Sequence, residues 1–369
     1  MSMKYSKSPY SLKELERLRD DEGFIDLDKA HIKMDKASTE PVGTTDRLKF
    51  WADFNGRSAL IKTDLKSLSG EDNYGIYGEL ITEEVCKAAG IPSAHYDLIK
   101  ITGEDGEKHQ GVLSENIVTG KKKGTMQEGL VTLYALVGDD KSDDKMTDTS
   151  GYSFTIEKLK ERLEELENVP KKRAETIMTD LKKRLLFDEC ILATDNHLEN
   201  YSFLMYKTPP PEENITKDDV IISLAPSYDR ESSFMLDMDQ TTTADLLDSP
   251  DALFDIIQSN SPRIVSYEEN KNYPENEPWK GLFKELIKDP EVAAFYDKIK
   301  KIDIEACLDK VEDRIGTLLP DDVRDMATYS FLYRRKAIDL EFSKDIERSK
   351  GMGLSRGKGK AKAGIEDIS

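Results

Sequence analysis

Ala193-Thr194-Asp195-Asn196-His197-Leu198-Glu199-Asn200, with Leu224-Ala225-Pro226-Ser227-Tyr228-Asp229 downstream, is the stretch on which the fold turns. Ile177, Leu181, Leu185, Leu186 and Cys190 recur at helical spacing and run into the first block. Residues 201–205 leave it as a strand. Residues 220–224 form a second short strand, and an acid closes that block. Two acids and an Asn at the ends of neighbouring strands suit Mg²⁺ and phosphate. Mg²⁺ takes hard oxygen ligands, commonly one or two carboxylates plus substrate phosphates. A carboxylate that holds no metal can orient an attacking hydroxyl or accept its proton. A plainer reading is also open: a capped loop around a buried, hydrogen-bonded His197.

The features that weigh on this choice lie upstream. Leu48-Lys49-Phe50-Trp51-Ala52-Asp53-Phe54 reads as a strand, Asn55-Gly56 as a two-residue hairpin turn, and residues 58–62 as the return strand. Lys62 ends the apolar run Ala59-Leu60-Ile61. Glu79, Leu80, Val85, Cys86 and Ala89 then recur at helical spacing, and Gly90 with Pro92 stops that helix. Strands over residues 96–101 and 110–114 follow, joined by the turn-rich Gly103-Glu104-Asp105-Gly106. Phosphoryl transfer of the kinase type needs a lysine on an N-lobe strand, held by a helix glutamate. An edge-strand lysine is ordinary, and so is a first-turn Glu favoured by the helix dipole. Lys62 and Glu79 in this order and spacing with Asp195, Asn200 and Asp229 are harder to obtain by chance.

Here the sequence resembles the HipA-like kinase family. The resemblance is carried by Asp195-Asn196-His197-Leu198-Glu199-Asn200, by Leu224 to Asp229, by Glu79 with Gly90-Ile91-Pro92, and by Lys49-Phe50-Trp51 feeding the hairpin to Lys62. It covers residues 42–235, with a looser fit over the C-terminal helices. It implies an α+β, bilobed protein-kinase-like fold with a mainly β N-lobe and a mainly α C-lobe. It implies a Ser/Thr protein kinase that uses ATP and Mg²⁺ on a protein substrate. Asp195 carries over as catalytic base, Asn200 and Asp229 as metal ligands, and Lys62, held by Glu79, as the phosphate-binding lysine. The backbone of Glu115 and Ile117 is expected to meet adenine. The phosphate loop is assigned to Gly43, Thr44 and Thr45, where backbone N–H groups and hydroxyls can cradle an anion. Thr44 or Thr45 is then the candidate for autophosphorylation. His197 is expected to fix Asp195 rather than act as base. Family members carry a longer N-terminal subdomain that engages a DNA-binding antitoxin. Only a short stretch precedes the phosphate loop here, so a small separate protein could supply that part, and the chain is expected to be a toxin–antitoxin component with a small antitoxin or regulatory partner.

Length and charge agree with this. The chain has 369 residues, with 54 Lys+Arg against 73 Asp+Glu and a net charge of −19. It is longer than one compact core of about 100–150 residues, so two lobes are expected. The acidic balance argues against a broad nucleic-acid surface, because phosphates are met by Lys and Arg. Cys86, Cys190 and Cys307 are far apart, and His31, His95, His109 and His197 are scattered, so no zinc site is expected. No stretch approaches the roughly 18 apolar residues of a membrane span, and no secretory h-region opens the chain. A cytoplasmic protein is expected.

The domain reading is an N-terminal extension at 1–40 with a helical stretch at 11–19, a kinase N-lobe at 41–117, a kinase C-lobe at 118–350 and a flexible basic tail at 351–369. Helices are expected around 156–166, 177–190, 244–258, 279–287, 292–302, 304–317 and 321–348. Asp139 to Asp144 and Pro209-Pro210-Pro211 read as surface loops. Two other readings compete. A phosphoinositide-type lipid kinase shares Asp-x-His-x-x-Asn. However, Arg230-Glu231-Ser232-Ser233 stands here where Phe-Gly is expected after the metal Asp, and an acidic surface is repelled by anionic membranes. A nucleotide-binding pseudokinase or binding module would suit the phosphate loop, which has a single Gly. It does not suit the full set Lys62, Glu79, Asp195, Asn200 and Asp229.

Overall fold

The computed structural model describes residues 6–33, 49–63, 72–103, 106–117, 126–132, 156–165, 171–194, 200–207, 220–259 and 278–362. The hairpin forms as read. Strand β3 (Lys49–Phe54) pairs antiparallel with β4 (Arg57–Thr63) in the register Phe50↔Ile61, Ala52↔Ala59. Asn55 and Gly56 supply the left-handed backbone of the turn, at φ 52° and 86°. Strand β6 (Lys108–Glu115) pairs with β4 on one side and β5 (Tyr96–Thr102) on the other.

The period-2 pattern gives the sheet two different faces. Phe50, Ala52, Phe54, Ala59, Ile61, Ile99, Ile101 and Leu113 pack on one face against Leu15, Ile25, Leu27, Ala30 and Ile32. Tyr96, Leu98 and Val112 point the other way, into a larger core shared with the helices. Residues 6–33 of the N-terminal extension thus cover one face of this sheet. They also supply both edges of the order β1-β3-β4-β6-β5-β2, through β1 (Ser6–Ser8) and β2 (Ile25–Asp26), which pair parallel with β3 and β5. Strands this short carry no readable alternation, which is why the sequence shows only the helical stretch between them. That stretch is a 3-10 helix over Leu12–Leu18.

Helix α1 (Gly75–Ala89) lies on the opposite face. Asn73 Oδ1 accepts the Gly75 N–H at 3.0 Å, satisfying one orphan donor of its first turn. Gly90 ends it at φ 76°, the left-handed cap that glycine adopts without strain. The second lobe holds a three-stranded sheet of β7 (Met126–Thr132), β8 (Ser202–Lys207) and β9 (Val220–Leu224). Strand β7 is absent from the sequence reading, which takes the chain beyond 118 as mostly helical. The rest of the described lobe is α2 (Ile156–Glu165), α3 (Lys171–Cys190), α4 (Gln240–Leu247), α5 (Pro250–Ser259), α6 (Pro278–Leu286), α7 (Pro290–Lys300), α8 (Ile304–Ile315) and α9 (Asp321–Lys362).

Two boundaries correct the sequence reading. The single helix expected over 244–258 is broken by Pro250, which lacks an N–H and opens a new helix at its first position. Helix α9 is described to Lys362, past the end at 348 expected for the last helix. Each added helical residue gains a hydrogen bond once a helix exists. Among the described residues no helix is long and apolar enough to cross a membrane. The three cysteines are free and buried.

Ion pairs tie α1 to the second lobe. Arg314 on α8 donates to Glu83 at 2.7 Å and to Glu84 at 3.2 Å. Glu83 also meets His95 Nδ1 at 2.8 Å and accepts the Tyr96 N–H at 3.1 Å. Burial would raise the Glu83 pKa, but His95 and Arg314 reverse this and hold it at about 2. The Asp97 and Glu83 carboxylates raise His95 to about 9. The two signs define a window. The Glu83 contribution is complete above its ordinary value of 4.5 and fades as pH falls toward 2. The His95 contribution is complete below 6.5 and fades as pH rises through 9. Half of the His95 side chain is exposed, so solvent screens its pairs and the effect is at most about 1 kcal/mol. Thermal denaturation from pH 6 to 9.5 should show the wild type losing its small advantage over His95→Gln. Parallel curves would contradict this.

Candidate active site

Lys62 stands near the end of β4, in register with Val112 of β6. Alternation sends Ala59 and Ile61 to the N-terminal face and Lys62 to the α1 face, where its side chain is buried. Its ammonium donates to Glu79 Oε1 at 3.1 Å and forms a very short contact with Asp229. Burial alone would lower the Lys62 pKa. The Asp229 and Glu79 carboxylates overturn that and hold it above its ordinary value. The lysine, helix glutamate and strand-terminal acid read from sequence therefore meet at one point. Asp229 is the member of the three with the most exposed side chain, 27% against 5% for Lys62 and none for Glu79.

Asp229 is positioned by its backbone. It lies beyond β9 in the left-handed region, at φ 59°. Its N–H donates to the Tyr96 hydroxyl at 3.0 Å. The segment before it is stitched to the residues after α1: Ser227 N–H to Pro92 O at 2.8 Å, and Ala94 N–H to Ser227 O at 2.7 Å. The Gly90-Ile91-Pro92 signal thus has a physical use, because it carries the chain from α1 into a bridge beside Asp229. Next comes Arg230, whose N–H donates to Glu79 Oε2 at 2.9 Å. Its guanidinium is fully buried and grips Asp188 of α3 through two bonds of 3.1 Å. Tyr201 donates its hydroxyl to the same carboxylate at 2.5 Å, and the Arg230 guanidinium lies 5.2 Å from the Tyr201 ring centre. The backbone on both sides of the β8–β9 pair is therefore anchored to α3.

Close packing completes the arrangement. A Cβ on Gly78 would lie 2.6 Å from the Glu231 carbonyl oxygen, so only glycine lets α1 approach this segment. Glu231 Oε2 lies 4.0 Å from Lys62 Nζ. The carboxylates of Glu79, Asp229 and Glu231 lie within 4.8 Å of one another. Asn200 is buried at the entry to β8. Glu115 closes β6 and pairs with Arg57 at 3.0 Å, and the Asn116 N–H donates to Ser58 O at 3.0 Å. The β5 ladder ends at Tyr96↔Ser114, and Glu115 continues past it, still paired with Ala59 of β4. Ile117 packs against the large core. Asp195, His197, Gly43, Thr44 and Thr45 lie outside the described residues.

Sequence reasoning did not single out Tyr96, Asp188, Arg230 or Glu231 for roles in the site. Asp188 had a visible signal: it sits beside Leu185, Leu186 and Cys190 on an apolar helix face, where a charge needs a partner. The donor set fits a hard cation. Asp229 offers a partly exposed carboxylate beside the lysine, and a buried Asn stands where β8 begins.

Among solved structures, the chain is similar to the Helicobacter pylori proinflammatory kinase CtkA. The TM-score is 0.50 and the identity 13%, over 85% of this chain and 94% of that one. It is also similar to a Shewanella oneidensis MR-1 toxin–antitoxin complex of HipA, HipB and operator DNA, with a TM-score of 0.44 and 13% identity over 85% and 67%. No family model matches the sequence, and no curated protein matches it. The first likeness shows the fold: this chain has the bilobed architecture of a solved kinase.

Proposed function

We propose that the chain is an ATP- and Mg²⁺-dependent Ser/Thr protein kinase of HipA-like type, passing the γ-phosphoryl group to a protein hydroxyl. The observation that carries this reading is the meeting of Lys62, Glu79 and Asp229 in a kinase fold. Glu79 holds the Lys62 ammonium where phosphate oxygens can reach it, while the Tyr96 hydroxyl fixes the Asp229 backbone and the Arg230 N–H fixes the Glu79 carboxylate. Asn200 and Asp229 would hold Mg²⁺, which neutralises phosphate charge when bound. Asp195 orients the acceptor hydroxyl and takes its proton. The backbone of Glu115 and Ile117 reads adenine, and Gly43, Thr44 and Thr45 cradle the phosphates, with Thr44 or Thr45 open to autophosphorylation. A small antitoxin-like or regulatory protein is the proposed partner, and the cytoplasm the proposed compartment. The partner rests on the sequence resemblance, and the compartment on the sequence composition, with its three well-separated cysteines.

Intact-mass spectrometry before and after incubation with ATP and Mg²⁺ tests this reading. The wild type should gain phosphate, and Asp195→Ala should slow the gain by ~10²–10⁴-fold, the usual worth of a general base. Equal gain by both proteins would remove Asp195 from the mechanism.

A further inference from the structure

The cluster at Lys62 holds one more carboxylate than the proposed chemistry uses. Glu79, Asp229 and Glu231 surround a single ammonium, with carboxylate oxygens within 4.8 Å of one another. The neighbouring cation, Arg230, is engaged with Asp188. Of the three acids, Glu79 has both oxygens committed, one to Lys62 and one to the Arg230 N–H. Asp229 has the most exposed side chain and is the proposed metal ligand, yet here it is bound to Lys62. An Asp229 that turns to a cation must let go of a buried ammonium, and half-pairing a buried charge is costly. Glu231 is the acid placed to lower that cost. Its side chain is 8% exposed, and its Oε2 is already 4.0 Å from Nζ. The contact of its backbone with Gly78 fixes it against the helix that carries Glu79.

We infer that Glu231 is a positioning residue for Lys62, receiving the ammonium that Asp229 releases when Asp229 engages a divalent cation. This rests on the reading of Asp229 as metal ligand. Removing the Glu231 charge leaves Lys62 more firmly on Asp229, so a cation must compete harder for that carboxylate. The effect falls on metal affinity, whereas a merely structural Glu231 would alter stability alone.

The test is a Mn²⁺ titration followed by electron paramagnetic resonance, in the presence of a non-hydrolysable ATP analogue. It compares the full-length wild type, Glu231→Gln and Glu231→Asp, each with its melting temperature. Glu231→Gln should weaken Mn²⁺ binding about tenfold, within the usual range of coupling between sites. Glu231→Asp keeps the charge on a shorter arm and should fall between the two. If Glu231→Gln fails to fold, Glu231→Asp decides: weaker Mn²⁺ binding at a near-normal melting temperature supports the inference, and unchanged binding overturns it. Equal affinity in all three proteins overturns it while the kinase reading stands. A wild type that binds no Mn²⁺ with the analogue overturns both.

Discussion

Replacing Lys62 by Met should abolish phosphoryl transfer and destabilise the fold as pH rises. Met matches the length of the lysine stem and keeps its packing, so the change isolates the charge. Loss of one charge-stabilising donor at a reacting group commonly costs ~10²–10³-fold in rate. Here the loss should be at least that large, because the lysine–glutamate pair has to be in place for transfer. Stability responds separately. Glu79, Asp229 and Glu231 remain within 4.8 Å of one another with no ammonium between them. Breaking a buried pair by removing one partner costs ~3–5 kcal/mol. The surviving acids should then take up protons more readily in the folded state than in the unfolded one. A group whose folded pKa is raised contributes stability at low pH and loses it as pH rises. Lys62→Met should therefore approach the wild type in melting temperature below about pH 5 and fall behind above it. A variant that tracks the wild type at every pH would show that the three acids do not share the lysine.

The second large effect is expected at Arg230. Its guanidinium makes two buried bonds of 3.1 Å to Asp188 and a part-buried one of 2.7 Å to the Tyr228 carbonyl. Arg230→Met fills the volume but leaves the Asp188 carboxylate buried without its guanidinium partner, still accepting the Tyr201 hydroxyl. The expected cost is again ~3–5 kcal/mol by denaturant titration. Adding Asp188→Asn to Arg230→Met removes the stranded charge and should recover part of the loss, which a double-mutant cycle measures. Transfer should fall as well, because Arg230 directly follows Asp229, and its N–H fixes Glu79. If Arg230→Met is as stable as the wild type, the buried pair does not hold this corner of the site.

Several parts of the site were legible because they obey local rules. The Asn55-Gly56 turn, the apolar run into Lys62 and the helix stop at Gly90 and Pro92 are short-range signals. They place a lysine and a glutamate on facing elements before any tertiary contact is known. The Arg230–Asp188 pair is not local. It joins residues 42 apart in sequence, and no spacing rule links them. Nor could Glu231 be read, since an acid two residues after the proposed metal ligand Asp229 resembles any solvated loop residue. At the fold level, β1 and β2 were lost for a different reason. Three and two residues cannot show a period, and their pairing is decided by the sheet edges they complete. The break at Pro250 was available from the missing N–H, but the apolar residues on both sides suggested continuity.

The most direct test of the central claim is calorimetric titration of ATP into the wild type and Asp229→Asn, with and without Mg²⁺. The account predicts saturable binding to the wild type that strengthens with Mg²⁺, and at least tenfold weaker Mg²⁺-dependent binding to Asp229→Asn. A wild type that takes up no ATP, or an Asp229→Asn variant that binds Mg²⁺·ATP as tightly, would contradict it.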